Sequence, residues 1–106
     1  MRRAARVDRN QKEIVEHLRK KGATVQPLHT VGRGCPDLLV GYAGTNYLIE
    51  VKDGDKPASQ RKLTPDEDSW HHMWMGQVAV VTCPWDCDVL LDIWTKEEWE
   101  QTEPPS

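Results

Sequence analysis

Three charged residues interrupt two stretches that are otherwise apolar. Asp37 opens Asp37-Leu38-Leu39-Val40, while Glu50 and Lys52 end Tyr47-Leu48-Ile49-Glu50-Val51-Lys52. Charged groups among buried neighbours need a partner or a function. If the two runs pair as an antiparallel hairpin with Val40 opposite Tyr47, Asp37 falls opposite Glu50. Directly opposed side chains share a face, with Cβ atoms ~4.5–5.5 Å apart. Alternation along the strand adds Lys52 to that face. Two carboxylates this close repel, and burial makes ionising both harder. A hard divalent cation, Mg2+ or Mn2+, removes the conflict, with Asp37, Glu50 and the Val51 backbone carbonyl as oxygen ligands. Such a cation beside Lys52 fits hydrolysis at phosphorus, with Lys52 orienting water and stabilising developing charge. The blander alternative makes Asp37 a turn residue after Pro36 and Glu50–Lys52 a solvated pair on an edge strand.

The elements around these residues read as helix, strand, strand, strand, helix, strand, helix. That order predicts an α/β fold, one mixed β-sheet flanked by α-helices, in a single domain. Asp8 at the N-cap and Gln11 at N3 start the first helix, Ile14, Val15 and Leu18 form its apolar stripe, and Gly22 stops it. Residues 23–28 form a short strand. His29 to Pro36 is a loop bent by Gly32 and Gly34. The two charged-tipped strands should be buried mid-sheet, joined by a loop over residues 41–46. Residues 53–59 are rich in turn formers and read as a mobile surface loop. Thr64-Pro65-Asp66-Glu67 starts a second helix with a capping box. Trp70, Met73 and Trp74 share one face, whose tryptophans mean core packing more often than base stacking, and Gly76 ends the helix. Val78 to Val81 is a further buried strand. A covering helix carries Val89 to Trp94, and a separate helical turn starts at Thr95. Residues 1–100 form the domain and 101–106 a disordered tail.

The frame around the charged trio is similar to the PD-(D/E)xK nuclease superfamily. Pro36-Asp37 stands thirteen residues before the Glu50-Val51-Lys52 triplet. The longer segments Gly34-Cys35-Pro36-Asp37-Leu38-Leu39-Val40, Leu48-Ile49-Glu50-Val51-Lys52-Asp53-Gly54 and Leu63-Thr64-Pro65 resemble its VRR-NUC branch, as do Trp70, Trp74 and Gly76. The likeness runs from about residue 8 to residue 94 and is nearest to small stand-alone phage and prophage proteins. It implies a restriction-endonuclease-like sheet and Mg2+- or Mn2+-dependent cleavage of DNA. Asp37, Glu50 and the Val51 carbonyl would bind metal, and Lys52 would support catalysis. It further implies a homodimer acting on branched DNA, as a Holliday-junction resolvase does. Relatives place an acidic metal ligand early in the first helix; Glu13 is the choice here, among Asp8, Gln11 and Glu13. Where relatives carry a glutamine early in the second helix, this chain has Glu67, whose charge disfavours phosphate contact.

Net charge is −3, but the charges are divided unevenly. Residues 1–22 carry a balance of +5 and residues 63–106 one of −9. Such asymmetry can set a basic face against an acidic one, or simply reflect solvated helices. Arg33, Lys56, Arg61 and Lys62 flank the charged trio and are candidates for DNA phosphate contacts. A homodimer would match the two-fold symmetry of a four-way junction. Cys35, Cys83 and Cys87 are an odd set, better suited to reduced thiols than to disulfides. Cys83 and Cys87 lack the further ligands that zinc requires. No apolar run approaches the ~20 residues of a membrane span. No secretory signal follows the basic start, so the expected location is the cytoplasm, in a bacterial host cell if phage encoded. Two alternatives to a resolvase-like enzyme stand beside it, a nickase or flap nuclease and a non-catalytic DNA-binding module of the same fold.

Overall fold

Ile14, Val15 and Leu18 recur on one face of a helix and are buried, which fixes the first element against the sheet. The structure, a computed structural model, describes residues 8–102. Helix α1 spans Gln11–Lys20, β1 Thr24–Pro27, β2 Leu38–Tyr42 and β3 Thr45–Val51. A 3-10 turn at Ala58–Gln60 precedes α2 at Pro65–Met73, β4 at Val78–Val81 and α3 at Pro84–Thr102. The four strands lie in the order β1-β2-β3-β4, the first three antiparallel and β4 parallel to β3. This is the mixed sheet with helices that the element order implies.

The two faces of the sheet differ. Leu38, Val40, Tyr47, Ile49 and Val51 alternate onto one face, where each is fully buried. They join Ile14 and Leu18 of α1 and Cys87, Leu91 and Trp94 of α3 in one core. The Tyr47 and Trp94 rings stack with centroids 4.0 Å apart and planes within 4°. The opposite face carries Leu39, partly exposed, together with Leu48, Glu50 and Lys52. Both faces were expected to be apolar and covered; only one is packed by α1 and α3. The charged residues lie on the other.

Several local expectations are corrected. The hairpin loop is not six residues but the two-residue turn Ala43-Gly44, both at positive φ (52° and 81°), which matches the twist of the flanking strands. The N-cap of α1 is Asn10, not Asp8, and it makes no side-chain cap because its amide is engaged elsewhere. Strand β4 is an edge strand with Val80 exposed. The predicted final turn is continuous with α3, which runs through Thr102; the rest of the expected tail lies outside the described residues. The loop after Lys52 is not wholly a surface loop, since Asp53 is buried, receives the Asp55 N–H at 3.0 Å and faces Arg9 at 3.6 Å.

Helix α2 departs furthest. Its capping box forms as the sequence implies, with Thr64 Oγ1 accepting from the Glu67 N–H and Glu67 accepting from the Thr64 N–H. Yet α2 buries no residue, and Met73 and Trp74 are exposed. The helix ends at Met73 with Trp74 as its C-cap, before Gly76. An aromatic stripe at helical spacing states only that one face is apolar; it does not state what covers it. Among the described residues, no helix is long and apolar enough to cross a membrane.

Candidate active site

The hairpin register determines what meets at the end of the sheet. Val40 pairs with Tyr47 and Leu38 with Ile49, so Asp37, one step beyond β2, stands opposite Glu50. The Asp37 carbonyl accepts the Leu28 N–H at 2.7 Å, which extends the β1–β2 ladder and holds the Asp37 backbone. Its carboxylate Oδ2 accepts the Val51 N–H at 2.7 Å, tying it across to β3. Lys52 is held by its own N–H, which donates to the Val81 carbonyl of β4 at 2.9 Å.

One further clasp closes this end. The Asn10 side-chain amide donates to the Lys52 carbonyl at 3.1 Å and to the Thr82 carbonyl at 2.9 Å. One side chain at the start of α1 therefore bonds the ends of both β3 and β4, where the parallel strands part. The lost N-cap has this explanation.

Glu50 is 2% exposed, and its Oε1 is buried with no hydrogen-bond partner. Burial, and then the adjoining Asp37 carboxylate, push the Glu50 carboxyl far above the usual range, to about 10. Lys52 Nζ lies 3.9 Å from Glu50 Oε2 and donates to Glu67 Oε1 at 2.7 Å. That same Glu67 oxygen accepts the Thr64 N–H at 2.8 Å. Glu67 thus joins the cap of α2 to the Lys52 ammonium. Burial acts to lower the Lys52 pKa, but the Glu67 hydrogen bond together with the charges of Glu67, Glu50 and Asp8 outweighs it, and the ammonium is held above its ordinary value. Glu67 is likewise held below its ordinary value by Lys52 and the Thr64 N–H, against burial.

The structure brings Asp37, Glu50, Val51 and Lys52 together. It does not bring Glu13, which is exposed on α1 and lines a separate cleft with Asn10, Asp53 and Thr82. Asp8 is the first-segment acid in electrostatic reach of Lys52 and Asp37; burial raises its carboxyl, while Lys56, at 3.9 Å, and Lys52 oppose the rise. Among the proposed phosphate contacts, Arg33 and Lys62 are exposed, Lys56 faces Asp8, and Arg61 is half-buried. Sequence reasoning placed Glu67 in the cap but not beside Lys52, and it missed His71. His71 lies one turn further along α2, within reach of Glu67 and Lys52, and burial lowers its pKa. The spacing Glu67 to His71 is helical, but nothing in the sequence says which way that face of α2 points.

Among the described residues, no three His, Cys, Asp or Glu side chains gather closely enough to hold a metal alone. Two carboxylates with a backbone carbonyl remain a suitable oxygen set for a hard cation. The unbonded, buried Glu50 Oε1 is the atom such a cation would satisfy. Cys35, Cys83 and Cys87 are free thiols. Comparison with known proteins finds no matching family model, no matching curated protein and no matching solved structure.

Proposed function

We propose that this protein is a divalent-metal-dependent DNA endonuclease with a restriction-endonuclease-like sheet, resembling the VRR-NUC branch of the PD-(D/E)xK nucleases. The observation that carries this reading is the buried Glu50 carboxyl beside Asp37, with Oε1 unbonded and Oε2 3.9 Å from the Lys52 ammonium. A carboxyl driven that far from its ordinary value is unfavourable as structure alone and useful as a cation ligand.

Asp37, Glu50 and the Val51 carbonyl would hold Mg2+ or Mn2+. When bound, the cation supplies charge neutralisation at the scissile phosphate and makes water easier to deprotonate. Asp37 contributes from a position fixed by the Val51 N–H, beside the Glu50 carboxyl with which it would share the cation. Lys52 stays protonated at neutral pH, which suits it to donate to a phosphate oxygen or to orient water rather than to act as a base. Glu67 holds that ammonium in place. Arg33, Lys56, Arg61 and Lys62 would track backbone phosphates. These basic residues do not form a base-reading element, so selection by DNA shape fits best. A four-way junction cut symmetrically by a homodimer is the expected substrate.

The test is cleavage of labelled four-way junction, flap, nicked duplex and plain duplex with Mg2+, Mn2+ or EDTA. Paired cuts in the junction that vanish with EDTA are the expected result. Cutting confined to the flap or nicked duplex would retain the chemistry and replace the resolvase assignment. Metal-independent binding with no cutting of any substrate would remove the nuclease reading.

A further inference from the structure

The outward face of α2 holds a groove of about 410 Å3 that the chemistry above does not use. It is lined by Arg33, Asp66, Ser69, Trp70, Met73 and Trp74. The Trp70 and Trp74 indoles stack with centroids 4.6 Å apart and planes within 19°. Trp74 is 45% exposed, so the stacked pair is open to solvent. Gly76 allows the chain to turn against it: an added Cβ there would meet the Trp74 Nε1 at 2.8 Å.

The glycine loop supplies the opposite wall. Gly34 (φ +81°) lies so tightly on the start of α2 that a Cβ would overlap the Asp66 carbonyl. Arg33, just before it, is itself at positive φ (56°) and exposed beside the indoles. Such a backbone conformation in a side-chain-bearing residue is sparsely populated and persists where surroundings impose it.

We infer that this groove takes an unpaired nucleobase of the DNA substrate, stacked on the Trp70–Trp74 pair, with its phosphate against Arg33. Two features favour this occupant. An open indole face stacks on any base, and a guanidinium beside it matches the phosphate that accompanies the base. The groove also adjoins the catalytic cluster: Asp66 in its wall precedes Glu67, which bonds Lys52. A neutral base is not repelled by Asp66, whose carboxylate can accept from an exocyclic amine. The inference rests on the nuclease reading for its biological sense and adds to it a base that opens out of its stack at the branch point near the cut.

The test is fluorescence anisotropy in EDTA, where nothing is cut, with a labelled 12-mer single strand, a flapped duplex and a blunt duplex. Wild-type protein should bind the two probes with unpaired bases about tenfold more tightly than the blunt duplex. Trp74→Ala should lose about tenfold on those two and less than twofold on the blunt duplex, while Trp74→Phe keeps most of the preference. Thermal melts of Trp74→Ala should match wild type, because α2 buries no residue. An equal loss on all three probes, or no loss, would overturn the inference. So would a dimer in sedimentation that Trp74→Ala dissociates, which would make the groove a contact between copies. Retained preference for unpaired bases without any metal-dependent cutting would instead remove the nuclease reading and leave the groove standing.

Discussion

Glu50→Gln should raise the melting temperature of the metal-free protein at pH 8 by roughly 5–10 °C while reducing cleavage by about 10³-fold or more. The ordinary carboxyl ionises near 4.5, and in the fold Glu50 holds its proton to about 10. The unfolded chain therefore loses that proton across a window where the folded chain keeps it. The folded state is favoured most below pH 4.5 and loses stability steadily as pH rises toward 10. Each pH unit in this window carries at most about 1.4 kcal/mol. A third of the total up to pH 8, about 1.5 kcal/mol, accounts for the expected rise. Glutamine is neutral at every pH and removes the penalty while preserving shape. Melts with EDTA at pH 5 and pH 8 give the check: the gain over wild type should be small at pH 5 and grow by pH 8. The groups facing Glu50 are Asp37, Glu67 and Lys52, and none is altered by the substitution. Mg2+ or Mn2+ should raise the wild-type melting temperature at pH 8 and leave the variant where it was. A variant that melts at or below wild type at pH 8 would mean that Glu50 is no liability in the fold.

Lys52→Ala should fail in activity by a comparable factor, ~10²–10³-fold, yet move stability the other way. Lys52 is the cation that Glu67 and Glu50 face, at 2.7 and 3.9 Å, and its side chain is only 11% exposed. Removing one partner of a mostly buried pair leaves the other charge uncompensated. Here that leaves the Glu67 carboxylate with the ammonium gone. Because the pKa of Lys52 is held above its ordinary value, its contribution is fully present below 10.5 and is lost only as pH rises beyond that. The loss in the variant should therefore be visible at pH 8, about 2 kcal/mol or roughly 10 °C. Glu67, held below its ordinary value, contributes above about 4.5 and loses its contribution as pH falls further. The deficit of Lys52→Ala should accordingly shrink in acid. Melting curves from pH 3 to pH 9 decide it, and a deficit independent of pH would point to lost packing of the aliphatic stem instead. Two inactive variants with melting shifts of opposite sign would be hard to obtain from general disruption of the fold.

The central hairpin was legible because three independent signals agreed. Apolar runs of strand length, a turn-rich gap and charges at matched ends favour pairing Val40 with Tyr47, and that is the pairing observed. Thr64, Pro65 and Glu67 were equally readable, since a capping box is a local device whose partners lie three residues apart. Contacts across long stretches of sequence were not. Asp8 looked like a cap because its type and spacing suit one, yet Asn10 occupies that place with its side chain drawn to two distant carbonyls. The Trp70–Trp74 stripe was read as core because periodicity reports an apolar face, while burial depends on what the rest of the chain lays over it. Glu67 belonged visibly to a cap, but its second bond to Lys52 depends on the path from β3 into α2. Tertiary placement decides all three.

The Asn10 clasp also bears on the order in which the molecule matures. Its two bonds span 42 and 72 residues of chain, whereas β1, β2 and β3 are sequential neighbours joined in part by a two-residue turn. Loop-closure entropy favours the near contacts first and leaves the distant ones for last. The meander can therefore pair Asp37 with Glu50 before β4 has docked beside Lys52 and before α1 has reached both strand ends. Pulsed hydrogen exchange during refolding should protect β2 and β3 amides ahead of the Lys52 N–H, which needs β4. A chain still emerging from synthesis would then carry its carboxylate pair without a finished centre. On the proposed reading, hydrolytic competence would arrive only once the part of the chain that follows Val81 had been made and fastened to its beginning.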